Sequence, residues 1–254
     1  MRKLLTATVV AALTGLPGIA QASEGGEALP HDVHWSWSGI FGTFDRAAQQ
    51  RGFQVYNEVC AGCHAMKQLS YRQLSDIGFD EAAIKQIAAA ATITDGPNDE
   101  GEMFERPGLP SDKFKNPFAN DQAARAANNG ALPPDLSLMV KARVGGPDYV
   151  HGLMIGYGEP PADLKLAEGM NYNKYFPGHQ IAMPPPLSDG AVTYADGTEA
   201  TVDQMAKDVV TFLAWAAEPE TEHRKQTGVA VILFLVILSG MLFATKKKIW
   251  SALH

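Results

Sequence analysis

Two uninterrupted apolar runs bracket a chain whose middle is punctuated by glycine and proline. The first lies in MRKLLTATVVAALTGLPGIAQA, where two basic residues precede an apolar stretch from Leu4 to Leu16 that Pro17 breaks, and Ala20-Gln21-Ala22 offers small residues at a cleavage point. That order predicts a secretory signal over residues 1–22, removed after Ala22, because the run falls short of the ~20 apolar residues a spanning helix needs. The second run, Gly228 to Thr245, carries no charge and is apolar on every side. At ~1.5 Å per residue it makes a helix roughly 27 Å long, enough to cross a bilayer. We therefore expect an anchor over 227–245, with the tail 246–254 and its Lys246-Lys247-Lys248 cluster on the cytoplasmic side. Residues 23–226 are left as one exported domain.

Within that domain the apolar period is helical. DRAAQQRGFQVYNEV, Asp45 to Val59, has no proline, and Ala48, Gly52, Tyr56, Val59 and Cys63 recur at spacings of four, four, three and four. Late in the chain Thr201 and Gln204 read as a capping box that opens a helix with Met205, Val209, Phe212, Leu213 and Ala216 on one face. These two helices are natural partners, and Phe53, Tyr56, Phe212 and Trp215 would supply bulk where they cross. No alternating strand and helix pattern joins them, so the expected class is mainly α with long loops.

Charge changes the picture outside the membrane. The whole chain is at -7, but residues 23 to 245 keep 16 basic groups against 28 acidic ones, a balance of -12. That field repels nucleic acid, and it either favours a basic partner or only maintains solubility. Part of it lies in DGPNDEGEMFE, residues 95–105, read as an acidic loop that either attracts such a partner or is simply solvated.

The two cysteines of the chain stand three residues apart in Cys60-Ala61-Gly62-Cys63-His64. In an exported protein two cysteines ordinarily suggest a disulfide. The histidine directly after the second fits C-x-x-C-H, in which the thiols add to haem vinyl groups and the imidazole ligates iron. Positions i and i+3 of a helix share a face, so both sulfurs can reach one porphyrin edge. Zinc needs about four ligands, and no second cysteine pair completes such a site.

A second axial ligand must come from elsewhere in the chain. Met66 is too near His64 to pass round the ring, Met205 belongs to a helix and Met241 to the anchor. Met103, Met139, Met154, Met170 and Met183 remain, with His31, His34, His151 and His179 as imidazole alternatives. Met183 stands out in IAMPPPL, because Pro184, Pro185 and Pro186 restrict φ and hold the preceding sulfur on a stiff extended loop. His179, four residues earlier, is its best competitor. Early haem motif, late Met-Pro loop and closing helix together resemble the cytochrome c fold.

Longer motifs narrow the resemblance. NPFANDQAARAANNGALPPDLS from Asn116, KARVGGPDYV from Lys141, GYGEPP from Gly156, NYNKYFPGHQIAMPPPL from Asn171 and DGTEATVDQMAKDVVTFLAWAAEPE before the anchor make the chain similar to the cytochrome c1 family. The similarity runs from WSGIFGTFDRAAQQRGFQVYNEVCAGCH to the basic tail. It implies a cytochrome c-like haem domain with one C-terminal transmembrane helix, held on the periplasmic side of a bacterial inner membrane. It implies one covalent haem c attached at Cys60 and Cys63, with His64 as proximal and Met183 as distal ligand, and Arg125 pairing with a haem propionate. The implied partners are cytochrome b, a Rieske iron-sulfur protein as electron donor, a cytochrome c as acceptor and membrane lipid, in a dimeric quinol-cytochrome c reductase. In that role the chain is an electron carrier, not an enzyme by itself. Asn129-Gly130 and Pro133-Pro134 read as a turn and a rigid segment, which the resemblance places around the haem pocket. Some bacterial relatives carry an additional disulfide; here haem attachment would use both thiols, leaving the loop before Met183 to packing and prolines. Two other classes stay open on the residues alone. An open sixth site would make a haem enzyme or gas sensor, and a haem that only staples the fold would make a structural subunit.

Overall fold

The computed structural model describes residue 29 and residues 33–251. The predicted signal peptide, His31 and the last three residues lie outside that range. Helices dominate: α1 (Arg46–Val55), α2 (Glu81–Ala89), α3 (Asp121–Ala127), α4 (Met139–Ala142), α5 (Gly146–Ile155), α6 (Val202–Ala217) and α7 (Thr221–Ser251). Two small antiparallel pairs lie among them, β1 (Thr92–Asp95) with β2 (Phe104–Pro107), and β3 (Asn171–Tyr172) with β4 (Gln180–Ile181). The mainly α expectation holds, with long irregular connections between the elements.

The first helix begins where the pattern placed it, because the Asp45 carboxylate accepts from the N–H groups of Ala47 and Ala48 and so satisfies two orphan donors. It does not run unchanged to Val59. From Tyr56 to Cys60 the chain widens into a π-helical turn, closed by Ala61 N–H on Tyr56 O at 2.8 Å. The late helix likewise starts at Thr201, whose hydroxyl accepts from Gln204 N–H at 3.2 Å. The capping box is only half formed, since the Gln204 side chain donates forward to Asp208 and does not reach back to accept from Thr201 N–H.

α1 and α6 cross at the centre of the domain. At Gly52 the backbones approach so closely that a Cβ would stand 2.0 Å from Asp208 O. This is why glycine occupies that stripe position despite its entropic cost in a helix. Around the crossing Phe53 and Tyr56 meet Phe212 at 5.7 Å between ring centroids, and Phe212 meets Trp215 at the same distance. Tyr56, Phe212 and Trp215 are each 1% exposed or less, contributing roughly 1.5–3 kcal/mol apiece through burial.

One expectation needs correction in detail. The acidic segment 95–105 is not wholly a loop: Asp95 pairs with Phe104 across a hairpin, leaving residues 96–103 as its tip. Arg106 ties that hairpin down through Asp95 at 2.5 Å and Asp112 at 2.6 Å. The anchor helix is longer than its apolar run. α7 has a window of mean hydropathy 2.5 with none of it buried against the domain, and it continues through the lysine cluster to Ser251.

Candidate haem-attachment site

The π-helical turn delivers both cysteines at the end of α1. Cys63 N–H and His64 N–H both donate to Cys60 O, at 3.1 and 2.9 Å, so Cys60 through His64 form one tight turn. Both thiols are free; Cys60 is half-buried and Cys63 exposed. Burial pushes the Cys60 thiol up to about 12, with the nearby Cys63 adding to it. A redox cysteine pair needs the reverse, a thiol lowered toward neutrality. Among the described residues no group of three His, Cys, Asp or Glu side chains could hold a metal ion by itself.

His64 leaves this turn against a second segment that arrives seventy residues later. Its Nδ1 stands 2.8 Å from Pro134 O, which makes Nδ1–H the donor and leaves the Nε2 lone pair uncommitted. The two segments are laced together further along. Lys67 N–H donates to Asp135 Oδ2 at 2.9 Å, Leu136 N–H to Ala65 O at 2.9 Å and Gln68 N–H to Ser137 Oγ at 3.0 Å. Desolvation lowers the His64 pKa, against upward pulls from the Pro134 carbonyl and Asp135, so the ring is held neutral and able to coordinate.

Arg125 sits in the last turn of α3, a helix capped by Asn120, whose side chain accepts from Ala123 N–H at 2.9 Å. Its guanidinium donates to Gly130 O at 3.0 Å. Among the described residues no carboxylate pairs with it, so the charge remains available for an anionic group. The expected turn is present, with φ of 51° at Asn129 and 87° at Gly130.

Met183 follows β4 and opens the proline segment. Its carbonyl accepts from Tyr157 Oη at 3.1 Å, which ties the proline segment to the chain just beyond α5. Asn173, fully buried, organises the same region: its amide donates to Leu153 O at 2.8 Å and its carbonyl oxygen accepts from Tyr175 and Phe176 N–H. The other sulfur and imidazole candidates have different surroundings. Met66 and Met205 are fully buried in the core, while Met103 is 60% exposed near the tip of the hairpin. Met139 and Met154 pack against the core, and Met170 is exposed. His34 is exposed, and His151 is buried with Nε2 on Asp203 at 2.9 Å. His179 stays beside the Met183 approach with φ 58°.

Sequence reading missed Pro134 as the partner of His64, and it missed Tyr157 and Asn173 as braces of the Met183 segment. Both Tyr157 and Asn173 lie within quoted motifs, but nothing local marks a side chain whose partner is distant. A cavity of about 320 Å³ opens beside Ala61 and Gly62, lined also by Tyr56, Tyr71, Phe114 and Lys115. None of the five expected site residues lines it.

The residues present fit a covalent haem: two unpaired thiols on one turn, an imidazole with its outer nitrogen committed and its other free, and a cation without a carboxylate. Comparison with known proteins points the same way. The Cytochrome C1 family model matches residues 35–253. The chain is 52% identical to cytochrome c1 of Rhodospirillum rubrum, covering 98% of this chain and 96% of that one. It is 50% identical to a mitochondrial cytochrome c1 heme protein of Arabidopsis thaliana, covering 96% and 80%. It also matches cytochrome b/c1 of Bradyrhizobium diazoefficiens at 50% identity, where 92% of this chain spans 37% of the longer relative.

Proposed function

The chain belongs to the cytochrome c1 family, and on that premise we propose that it accepts electrons from a Rieske iron-sulfur protein and passes them to a cytochrome c. Members of the family carry one covalently bound haem c and serve electron transfer within the cytochrome bc1 complex. The haem supplies a one-electron iron couple whose potential depends on axial ligands and surroundings.

The chain's own residues do the rest. Cys60 and Cys63 would hold the group through thioether bonds, and His64 would offer Nε2 from the proximal side. The Pro134 carbonyl fixes the His64 tautomer and increases the ring's donor strength. Met183 would close the opposite side, carried on a segment that Tyr157 and three prolines keep from moving. Arg125 would balance a propionate with two parallel N–H bonds. With His64 and Met183 both held for the iron, the protein would leave no place for small molecules, and the chain would act as a carrier, with catalysis belonging to the assembly.

The association with cytochrome b draws support from the cytochrome b/c1 relative, in which one chain includes both names. Acidic balance favours a basic acceptor, and the lysine cluster after the span favours a haem domain on the periplasmic side; a dimeric, lipid-embedded complex is what membership of the family implies. The observation that carries the reading is the His64–Pro134 bond beside two free thiols, since it prepares a single nitrogen for iron. The test is carbon monoxide added to the reduced protein at neutral pH, together with a redox titration. No rapid binding and a positive potential are expected, and Met183→Leu should bind the gas and lower the potential. Rapid binding by the unaltered protein would refute the carrier role.

A further inference from the structure

The loop from Ser38 to Thr43, ahead of α1, keeps two consecutive large apolar side chains in solvent: Ile40 is 67% exposed and Phe41 84%. Single exposed apolar residues are ordinary, but this pair sits on a loop that is firmly held. Gly42 lets the turn close on itself, because a Cβ there would lie 2.1 Å from Ser38 O. In the flanking sequence Trp35, Trp37 and Phe44 form an aromatic ladder with successive centroids 4.9 and 5.1 Å apart.

The root of α7 grips the same loop. Lys225 Nζ donates to the carbonyls of Trp37 and Gly42, the latter at 3.2 Å. Glu222 accepts from Phe44 N–H at 2.7 Å and from the Arg46 guanidinium at 2.7 Å. Gly228, where the apolar run begins, is three residues beyond Lys225, or roughly 4.5 Å along the helix axis. The loop is therefore fastened at the level where the spanning segment starts.

We propose that Ser38–Thr43 is a second bilayer contact, with Ile40 and Phe41 inserted at the boundary between headgroups and acyl chains beside α7. The proposal rests on the reading of α7 as a membrane span. Lipid fits better than a protein partner because two side chains fall far short of the ~1,000 Å² that a specific protein interface buries. Insertion into a membrane interface requires apolar area without a matching shape. Trp37, Arg224 and Lys225 supply the aromatic and basic groups that settle at headgroup depth. A single helix leaves the domain free to turn about its axis. A second contact removes that freedom and sets the height of α1, and so of Cys60, above the membrane.

Because α7 retains the protein in the membrane by itself, depth must be measured directly. Spin labels are placed at Phe41→Cys, with Ile40→Cys as a second position, at Leu235→Cys within α7 and at Asp99→Cys on the hairpin tip. Each full-length protein, checked for covalent haem absorbance, is examined by power saturation in lipid nanodiscs with oxygen and a water-soluble nickel chelate. The labels at 41 and 40 are expected to favour oxygen several-fold over the Asp99 position, approaching Leu235. If position 41 matches Asp99 while Leu235 favours oxygen, the loop proposal falls and the anchor stands. If Leu235 also matches Asp99, the anchor reading fails and takes the proposal with it. Shielding of position 41 from both reagents would mean that protein covers the loop, which overturns the lipid contact.

Discussion

Arg51 holds Asp208 through two N–H···O bonds of 2.9 Å each, one from Nε and one from a terminal nitrogen, and so clamps α1 to α6. The Asp208 side chain is 1% exposed and that of Arg51 16%. Asp196 takes the remaining guanidinium nitrogen at 2.8 Å. The hydrogen bonds that Arg51 donates to Asp208, opposed by burial and aided by Asp196, raise its pKa and keep it charged.

Removing the cation alone leaves a carboxylate buried without its partner. Arg51→Met should destabilise the domain by about 3–5 kcal/mol in denaturant unfolding. Arg51→Met combined with Asp208→Leu should recover a large part of that loss, since the uncompensated charge goes too. Equal losses for the single and double variants would show that packing, not charge, is what Arg51 contributes.

Gly52→Ala reverses the usual sign of that substitution. In an exposed helix interior it would stabilise by roughly 0.5–1 kcal/mol. Here the added methyl meets Asp208 O, so α6 must shift and the loss should be about 1–3 kcal/mol. A stabilised Gly52→Ala protein would contradict the close crossing.

Acid stability should track His151. Burial lowers its pKa against the upward pull of Asp203, and its Nδ1 is buried with no acceptor for a second proton. Facing it are Asp203 and Lys207 from α6, with Asp148 on its own helix and Trp35 edge-on at 6.0 Å. The folded state thus binds a proton here less readily than the unfolded chain. Its contribution is complete above the unfolded value of ~6.5 and is lost as pH falls toward the lowered folded value. Asp203 acts further down: burial raises its pKa, but hydrogen bonds from Lys207 and His151 bring it below the usual carboxylate value. That part is present above ~3.9 and is lost below it. Denaturation midpoints measured from about pH 7 to 5 should decline, and His151→Gln should flatten the decline. An unchanged slope in that variant would remove His151 as the cause.

Tyr157→Phe removes the hydroxyl that anchors the Met183 carbonyl. Loss of one hydrogen bond should cost about 1 kcal/mol. Its specific signature is a faster reaction of the reduced protein with carbon monoxide, because the proline segment no longer holds Met183 in place. Lower stability without faster gas binding would assign Tyr157 to the fold alone.

Much of the proposed site could be named from the chain because its chemistry is local. Cys60, Cys63 and His64 are adjacent, Met183 is marked by the prolines after it, and the anchor declares itself by uninterrupted hydropathy. The helix ends were partly legible: Thr201 caps its helix as expected and α1 starts after Asp45, but the π-helical turn at Tyr56 and the forward reach of Gln204 depend on packing. The hairpin around the acidic segment escaped because its strands are only four residues each and Arg106 secures them from the side.

By itself the sequence determined the haem-attachment motif, the long apolar segment and the two helices that frame the domain, since each is encoded in residues a few positions apart. Only the tertiary structure decided which carbonyl orients His64, which carboxylate balances Arg51, why Gly52 must be glycine and what grips the loop before α1. Those pairings join positions separated by between 70 and 188 residues. A donor with many possible acceptors carries no local sign of its partner, and the choice is made when burial forces each polar group to be satisfied.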